Sequence, residues 1–346
     1  MFRTHDHETT MPLFASKFRM LIAAAATAGA LAVAASPALA QDKLTYNMAW
    51  LPQGSQIGPI VALAQGYYKD AGLDVTLSRG YGGMRTANEL DQGQFEIGYV
   101  DPITLAINRS NGGKIRMIGA INTQWPAGIC FDTKRHQVKK PADMKGLTMG
   151  GGSASPVHSV VPVWLELNGM PKDAVRLLRM DPAVVDASLV EGKIDLAECW
   201  RGSNRPVMLK QAAAAGVNVG WIEYADFGLN AYGSGFAASE DSIAKRGDAL
   251  RKFLQATYKG YQFAIDHPEQ AVDIMVKMYP TIDRNVALQQ IKDTNVLVSD
   301  AQAKDKGLGY MREDRMNSSV QFGDKAFGLA GKVKPQDVYT NALLQK

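Results

Sequence analysis

From Lys43 onward, short apolar runs with strand character alternate with helix-like runs of about ten residues, and the whole alternation occurs twice. In the first round, KLTYNMAW reads as a strand. PIVALAQGYYKDAG follows as a helix opened by Pro59 and closed by Gly72. LDVTLSRG is a strand, Met84 to Gln92 a helix, FEIGYVD a strand, and PITLAINRSNGG a helix with proline at its first position. IRMIGAIN closes the round as a strand. After PAGICFDTK the pattern restarts with GLTMGG, a helix over Pro156 to Asn168, VRLLRM, a helix over Asp181 to Glu191, IDLAECW, a helix over Arg205 to Ala215, and VNVGWIEY. GSGFAAS reads as a return crossing, and the remainder from Glu240 is largely helical, with apolar residues at i, i+3 and i+4. Helices placed between successive strands carry the chain back over the sheet, which makes the strands mostly parallel. The expectation is an α/β fold of two lobes joined by two crossing strands, with a ligand cleft between the lobes. The boundaries read as a leader over 1–40, lobe 1 over 41–130, lobe 2 over 131–232, and a return to lobe 1 over 233–346.

The leader fixes the expected compartment. Lys17 and Arg19 precede MLIAAAATAGALAVAASPALA, whose end, Ala38-Leu39-Ala40, suits cleavage before Gln41. That points to export and to the periplasm. The formal charge of the 346-residue chain is only +4 and no basic run occurs, so nucleic acid is not an expected partner. The five histidines are scattered without metal-ligand spacing, and no metal or cofactor is expected. Cys130 and Cys199 each lie in an apolar strand-like run, and they read as buried free thiols, with a pairing in an oxidising periplasm as the alternative.

Open parallel sheets present their ligands at the carboxyl ends of their strands, which selects the candidate residues. After the first strand come Trp50, Gln53, Gly54 and Ser55, with amide, backbone and hydroxyl donors ahead of a helix. Tyr81 follows the second strand in a Tyr-Gly-Gly turn. Asp101 ends the third, where it serves either a ligand amine or as an N-cap before Pro102. GGGSASP offers Gly152, Ser153 and Ser155 as an anion-holding loop before a helix, with a simple Ser155 cap as the alternative. It lacks the G-K-[ST] of a phosphate-cleaving loop and the G-x-S-x-G of a nucleophile elbow. His158 reads as a packing residue. Glu198, Trp200 and Arg201 share a later strand end, the carboxylate to meet an amine and the guanidinium to clamp an anion. Trp125, Tyr99 and Tyr232 are further wall candidates, whereas Trp164 and Trp221 read as core.

Four stretches carry a family resemblance: GPIVALAQGYYKDAGLDVTL (58–77), ELDQGQFEIGYVDPIT (89–104), MKGLTMGGGSAS (144–155) and GKIDLAECW (192–200). In this order the chain resembles the substrate-binding proteins of ABC importers, in the NMT1/THI5-like group with its alkanesulfonate-, taurine-, nitrate- and thiamine-pyrimidine-binding members. The resemblance implies a two-lobe periplasmic binding protein of type II. It would act as a monomer, capture a small organic anion or zwitterion, and deliver it to a permease backed by an ATPase. A nitrogenous aromatic such as a thiamine pyrimidine precursor is the alternative ligand. Enzymes with the same fold, a desulfinase with a nucleophilic cysteine in its first loop and a pyrimidine synthase with clustered cysteines, are disfavoured here by Pro52-Gln53-Gly54-Ser55 and by the cysteine count.

Overall fold

The computed structural model describes residues 41–153 and 155–344; the leader lies outside them. The first round comprises β1 (Asp42–Asn47), α1 (Ile57–Ala64), α2 (Tyr67–Asp70), β2 (Leu73–Ser78), α3 (Gly83–Asp91), β3 (Ile97–Val100), α4 (Pro102–Ser110) and β4 (Ile115–Ala120). The second comprises β5 (Ala127–Asp132), β6 (Thr148–Gly152), α5 (Val157–Leu167), β7 (Arg176–Met180), α6 (Pro182–Val190), β8 (Leu196–Trp200), α7 (Asn204–Ala214) and β9 (Val219–Glu223). The chain then returns through β10 (Gly235–Ser239) into α8 (Glu240–Asp266), α9 (Pro268–Met278), α10 (Arg284–Val298), α11 (Ala301–Lys306), α12 (Glu313–Phe327) and α13 (Pro335–Val338). The helix expected from Pro59 to Gly72 begins two residues earlier and is divided at Gly66, whose φ of 76° breaks the helical path.

Two five-stranded sheets result, ordered β2-β1-β3-β10-β4 and β7-β6-β8-β5-β9. In each, four strands run parallel and one runs against its neighbours: β10 between β3 and β4, and β5 between β8 and β9. The chain crosses between sheets over residues 121–126 and again over 224–234. The crossings are tied to each other by Asn122 N donating to Ser234 O at 2.9 Å and Gly233 N to Asn122 O at 3.0 Å.

The first sheet is covered on one face by α1 and α8. Gly58 and Gly260 bring those helices together backbone to backbone: a Cβ on Gly260 would stand 2.2 Å from the Gly58 carbonyl oxygen. Phe236 of β10 meets Phe253 of α8 edge to face, centroids 5.5 Å apart, and Tyr46, Ile57, Ile60 and Tyr261 complete that core. Under the second sheet, Trp164 is fully buried as expected, its indole N–H donating to Tyr224 O at 3.1 Å. Trp221 departs from its core reading. It is 43% exposed on the outer strand β9, with the Arg205 guanidinium 4.8 Å from its ring centroid. The helical return does more than cover lobe 1, since α12 packs on α5 and α10 on α7.

The cysteine expectation is also corrected. Cys130 and Cys199 form a disulfide, their Cα atoms 5.8 Å apart. The register pairs Gly128 with Cys199 and Cys130 with Ala197, so the sulfurs are diagonal neighbours on one face of the β5–β8 ladder. That register joins strands 69 residues apart, and neither run alone reveals it. Cross-linking so long a loop restricts the unfolded chain. Replacing both cysteines by alanine should therefore lower the unfolding free energy by about 2–4 kcal/mol, read from denaturant midpoints beside oxidised and reduced wild type. Coincident midpoints for all three would remove the disulfide from the stability of lobe 2.

Candidate functional site

Between the lobes lies a cavity of about 480 Å³. Most of its wall is built from strand ends and the helix starts that follow them: Gln53 and Ser55 before α1, Gly82 to Met84 at α3, Asp101 and Thr104 at α4, Ser155, Pro156 and Ser159 at α5, and Ser203 at α7. The crossings contribute Asn122, Trp125, Gly233 and Ser234. Trp50, Trp125, Trp200 and Tyr99 supply aromatic surface, with Trp125 and Trp200 in tilted contact at 5.6 Å between centroids. Of the sequence candidates, Trp50, Gln53, Ser55, Asp101, Trp125, Ser155, Trp200 and Arg201 are brought together here. Gly54, Tyr81, Gly152, Ser153, Glu198 and Tyr232 do not line the cavity.

The reasons differ. Gly54 supports the loop from behind: its N–H donates to Gln290 Oε1 at 3.1 Å, and a Cβ there would stand 2.4 Å from the Gln290 backbone. Only glycine lets the first loop lie against α10. Tyr81 is 56% exposed, with the guanidinium groups of Arg79 and Arg85 at 4.5 and 4.7 Å from its ring centroid. Tyr232 is buried in the core, and its hydroxyl accepts from Arg312 N at 2.7 Å. Asp101 is both a cap and a wall residue, its carboxylate accepting from Thr104 N at 2.9 Å and Thr104 Oγ1 at 2.7 Å. Burial pushes its pKa up against those bonds. Burial also pushes Tyr99 up to about 12, so its hydroxyl, which accepts from Asn122 Nδ2 at 2.8 Å, stays protonated.

The Gly-Ser loop carries the largest correction. Gly152 N donates to Glu198 Oε1 at 2.6 Å, Ser153 N to Met180 O at 2.7 Å, and Ser155 N to Gly152 O at 2.8 Å. The Ser155 hydroxyl donates to the other Glu198 oxygen, which also accepts from Trp200 Nε1 at 3.1 Å. The amides of Gly152, Ser153 and Ser155 and the Ser155 hydroxyl, read as donors for a ligand anion, are thus engaged inside the protein, and the carboxylate that Gly152 and Ser155 hold is the chain's own, only 7% exposed. Trp200 is oriented by that carboxylate, while its backbone N–H donates to Asn204 Oδ1 at 2.9 Å. His158 packs as expected, bonded to Gly152 O at 3.0 Å.

Arg201 is paired: its Nε lies 2.9 Å from Glu223 Oε1, which Arg205 also meets at 2.6 Å, and Arg205 reaches Asp293 on α10 at 3.0 Å. Ser203 Oγ donates across the cleft to Gln53 Oε1 at 2.9 Å, and Gln290 Nε2 donates to Ser203 O at 2.7 Å. Sequence reading passed over Ser203 and Arg179; Asn122 opens a strand-end segment, 122–125, from which only Trp125 was singled out. Arg179 precedes by one residue the strand end taken at Met180, and a strand-end window one residue wider would have included it.

Behind Glu198, the Asp186 carboxylate accepts from Asn204 Nδ2 at 2.9 Å. Burial first, and the Glu198 charge in addition, push it up to about 6. An acid whose folded pKa exceeds its unfolded value binds more protons when folded, so stability is lost as pH rises from about 4 to about 6. Asp186→Asn keeps the acceptor for Asn204 and removes the charge. It should raise stability at pH 7.5 by on the order of 1–2 kcal/mol and leave it nearly unchanged at pH 4. Calorimetric melting at the two pH values checks this, and equal effects at both would show that Asp186 titrates normally.

Comparison with known proteins agrees with the architecture. The NMT1/THI5 like family model matches residues 53–271. The riboflavin-binding protein RibY of Chloroflexus aurantiacus is 24% identical over 326 residues, covering 92% of this chain and 90% of that protein. The formylaminopyrimidine-binding protein of Halalkalibacterium halodurans is 21% identical over 245 residues, 68% of this chain and 71% of that one. Among solved structures, the periplasmic aliphatic sulphonate binding protein SsuA from Escherichia coli superposes with a TM-score of 0.66 at 16% identity, covering 88% of this chain and 99% of that chain. The fold is that of the periplasmic binding proteins, and the chain belongs to the NMT1/THI5-like family.

Proposed function

We propose that the chain is the periplasmic ligand-capturing component of an ABC importer, that it works as a monomer handing its ligand to the permease, and that the ligand is a planar aromatic or heteroaromatic solute. The observation that carries the ligand class is the wall itself: about 480 Å³ faced by Trp50, Trp125, Trp200 and Tyr99, a volume within the roughly 300–1,000 Å³ range of pockets for sizeable organic ligands. A nitrate- or taurine-sized solute would leave most of that space to water, and the Gly-Ser loop that favoured such an anion already holds Glu198. The relatives named for riboflavin and formylaminopyrimidine support a ring-bearing ligand; the sulphonate-binding neighbour supports the fold. Binding without chemistry is supported by the cysteines, since the disulfide leaves neither as a thiolate nucleophile. Among the described residues, no helix is long and apolar enough to cross a membrane.

The wall should report occupancy. In a thermal-shift screen, a flavin, an aminopyrimidine or an aromatic acid at about 100 times its Kd should add about 2.7 kcal/mol, while taurine and nitrate leave the melting point in place. Trp200→Ala should weaken the best ring compound about tenfold in calorimetry, the loss of one aromatic contact. Stabilisation by taurine or nitrate alone would restore the small-anion reading. Recovery of a chemically altered solute would replace binding by catalysis.

A further inference from the structure

Three charged side chains face the cavity: Asp101, Arg179 and Arg201. Two are already answered by the protein. Asp101 is held by the amide and hydroxyl of Thr104 at the start of α4. Arg201 shares Glu223 with Arg205, and Asp293 completes that group, so two guanidinium groups meet two carboxylates. Arg179 is different. Its Nη1 donates to Ser153 O at 2.8 Å, and among the described residues no carboxylate lies within ion-pair distance of it. The carbonyl bond fixes one arm of a planar fork that has five N–H donors, and the other donors remain for a partner. A guanidinium held this way matches the paired oxygens of a carboxylate, sulfonate or phosphate.

We infer that Arg179 is the specificity-determining residue for an anionic oxyacid group on the ring-bearing ligand, so that the solute is an aromatic or heteroaromatic anion rather than a neutral ring; this rests on the cleft being the ligand site. Arg179 belongs to β7, the outer strand of the second sheet, and β6 beside it leads into the loop that Glu198 organises. The anionic group is therefore received at the Arg179 guanidinium, which the Ser153 carbonyl steadies, and not on the amides of the Gly-Ser loop, while Trp50 and Trp200 offer the ring its faces.

The test uses matched neutral and anionic probes on the oxidised full chain without its leader: benzamide and benzoate, nicotinamide and nicotinate, riboflavin and riboflavin 5′-phosphate, each titrated by calorimetry. In at least one pair the anion should bind about tenfold or more tighter than its neutral partner, the strength of one charge-assisted hydrogen bond. Arg179→Gln should abolish that preference without weakening the neutral probe, and Arg179→Lys should restore part of it. Because Arg179 is exposed and makes a single protein bond, the unliganded variants should melt with wild type, which separates lost recognition from lost folding. Ring compounds that bind with no preference for the anion, or with a preference that survives Arg179→Gln, would overturn the role of Arg179 and leave the aromatic cleft standing. Silence from every pair, with taurine or nitrate binding instead, would overturn both.

Discussion

In each sheet one strand opposes the direction of the other four, and that reversal determines how the chain is shared between lobes. β5 enters the second sheet directly from β4 of the first, and β10 re-enters the first sheet directly after β9. Because each newcomer is inserted antiparallel inside its sheet, its hydrogen bonds are satisfied on both sides, and the crossings between lobes stay short and paired. The cleft floor is thus two tied segments, and the strand carboxyl ends of both sheets open toward the same space. The positions of the loop and crossing residues in the wall follow from that arrangement.

Much of this was legible because periodicity and strand ends are local properties. Alternating apolar positions mark β1 to β4 and β6 to β9, and the rule that ligands sit beyond parallel strand ends selects Gln53, Asp101, Ser155 and Trp200 without reference to packing. What escaped depends on pairing across the chain. Cys130 and Cys199 become neighbours only through the β5–β8 register. Glu198 reads as a ligand contact on its own strand, and only the β6–β8 pairing brings Gly152 within its reach. Trp221 has the composition of core and is exposed because β9 is an edge strand. Tyr232 lies beside the crossing, yet turns into the core beneath α12.

The charge pattern of the cleft follows from the same pairing. A carboxylate inside the Gly-Ser loop takes up the Gly152 amide and the Ser155 hydroxyl and gives the Trp200 indole a fixed partner. Arg201, Glu223, Arg205 and Asp293 neutralise one another across the α7–α10 contact, so that cluster joins the lobes more than it attracts a solute. The polar character left to the cavity comes from hydroxyls, amides, the capping Asp101 carboxyl and Arg179, set among aromatic faces.

The contact between Gly54 and Gln290 spans 236 positions of the polypeptide. The first loop and the side chain that buttresses it thus lie far apart in the chain, and the helix carrying that side chain also carries Asp293, the partner of Arg205. The same helix gives Ala287, Ile291 and Val298 to the core of the first sheet. A chain lacking α10 would therefore lose, in one deletion, the buttress of its first loop, the carboxylate that anchors Arg205 and part of the packing of its first sheet.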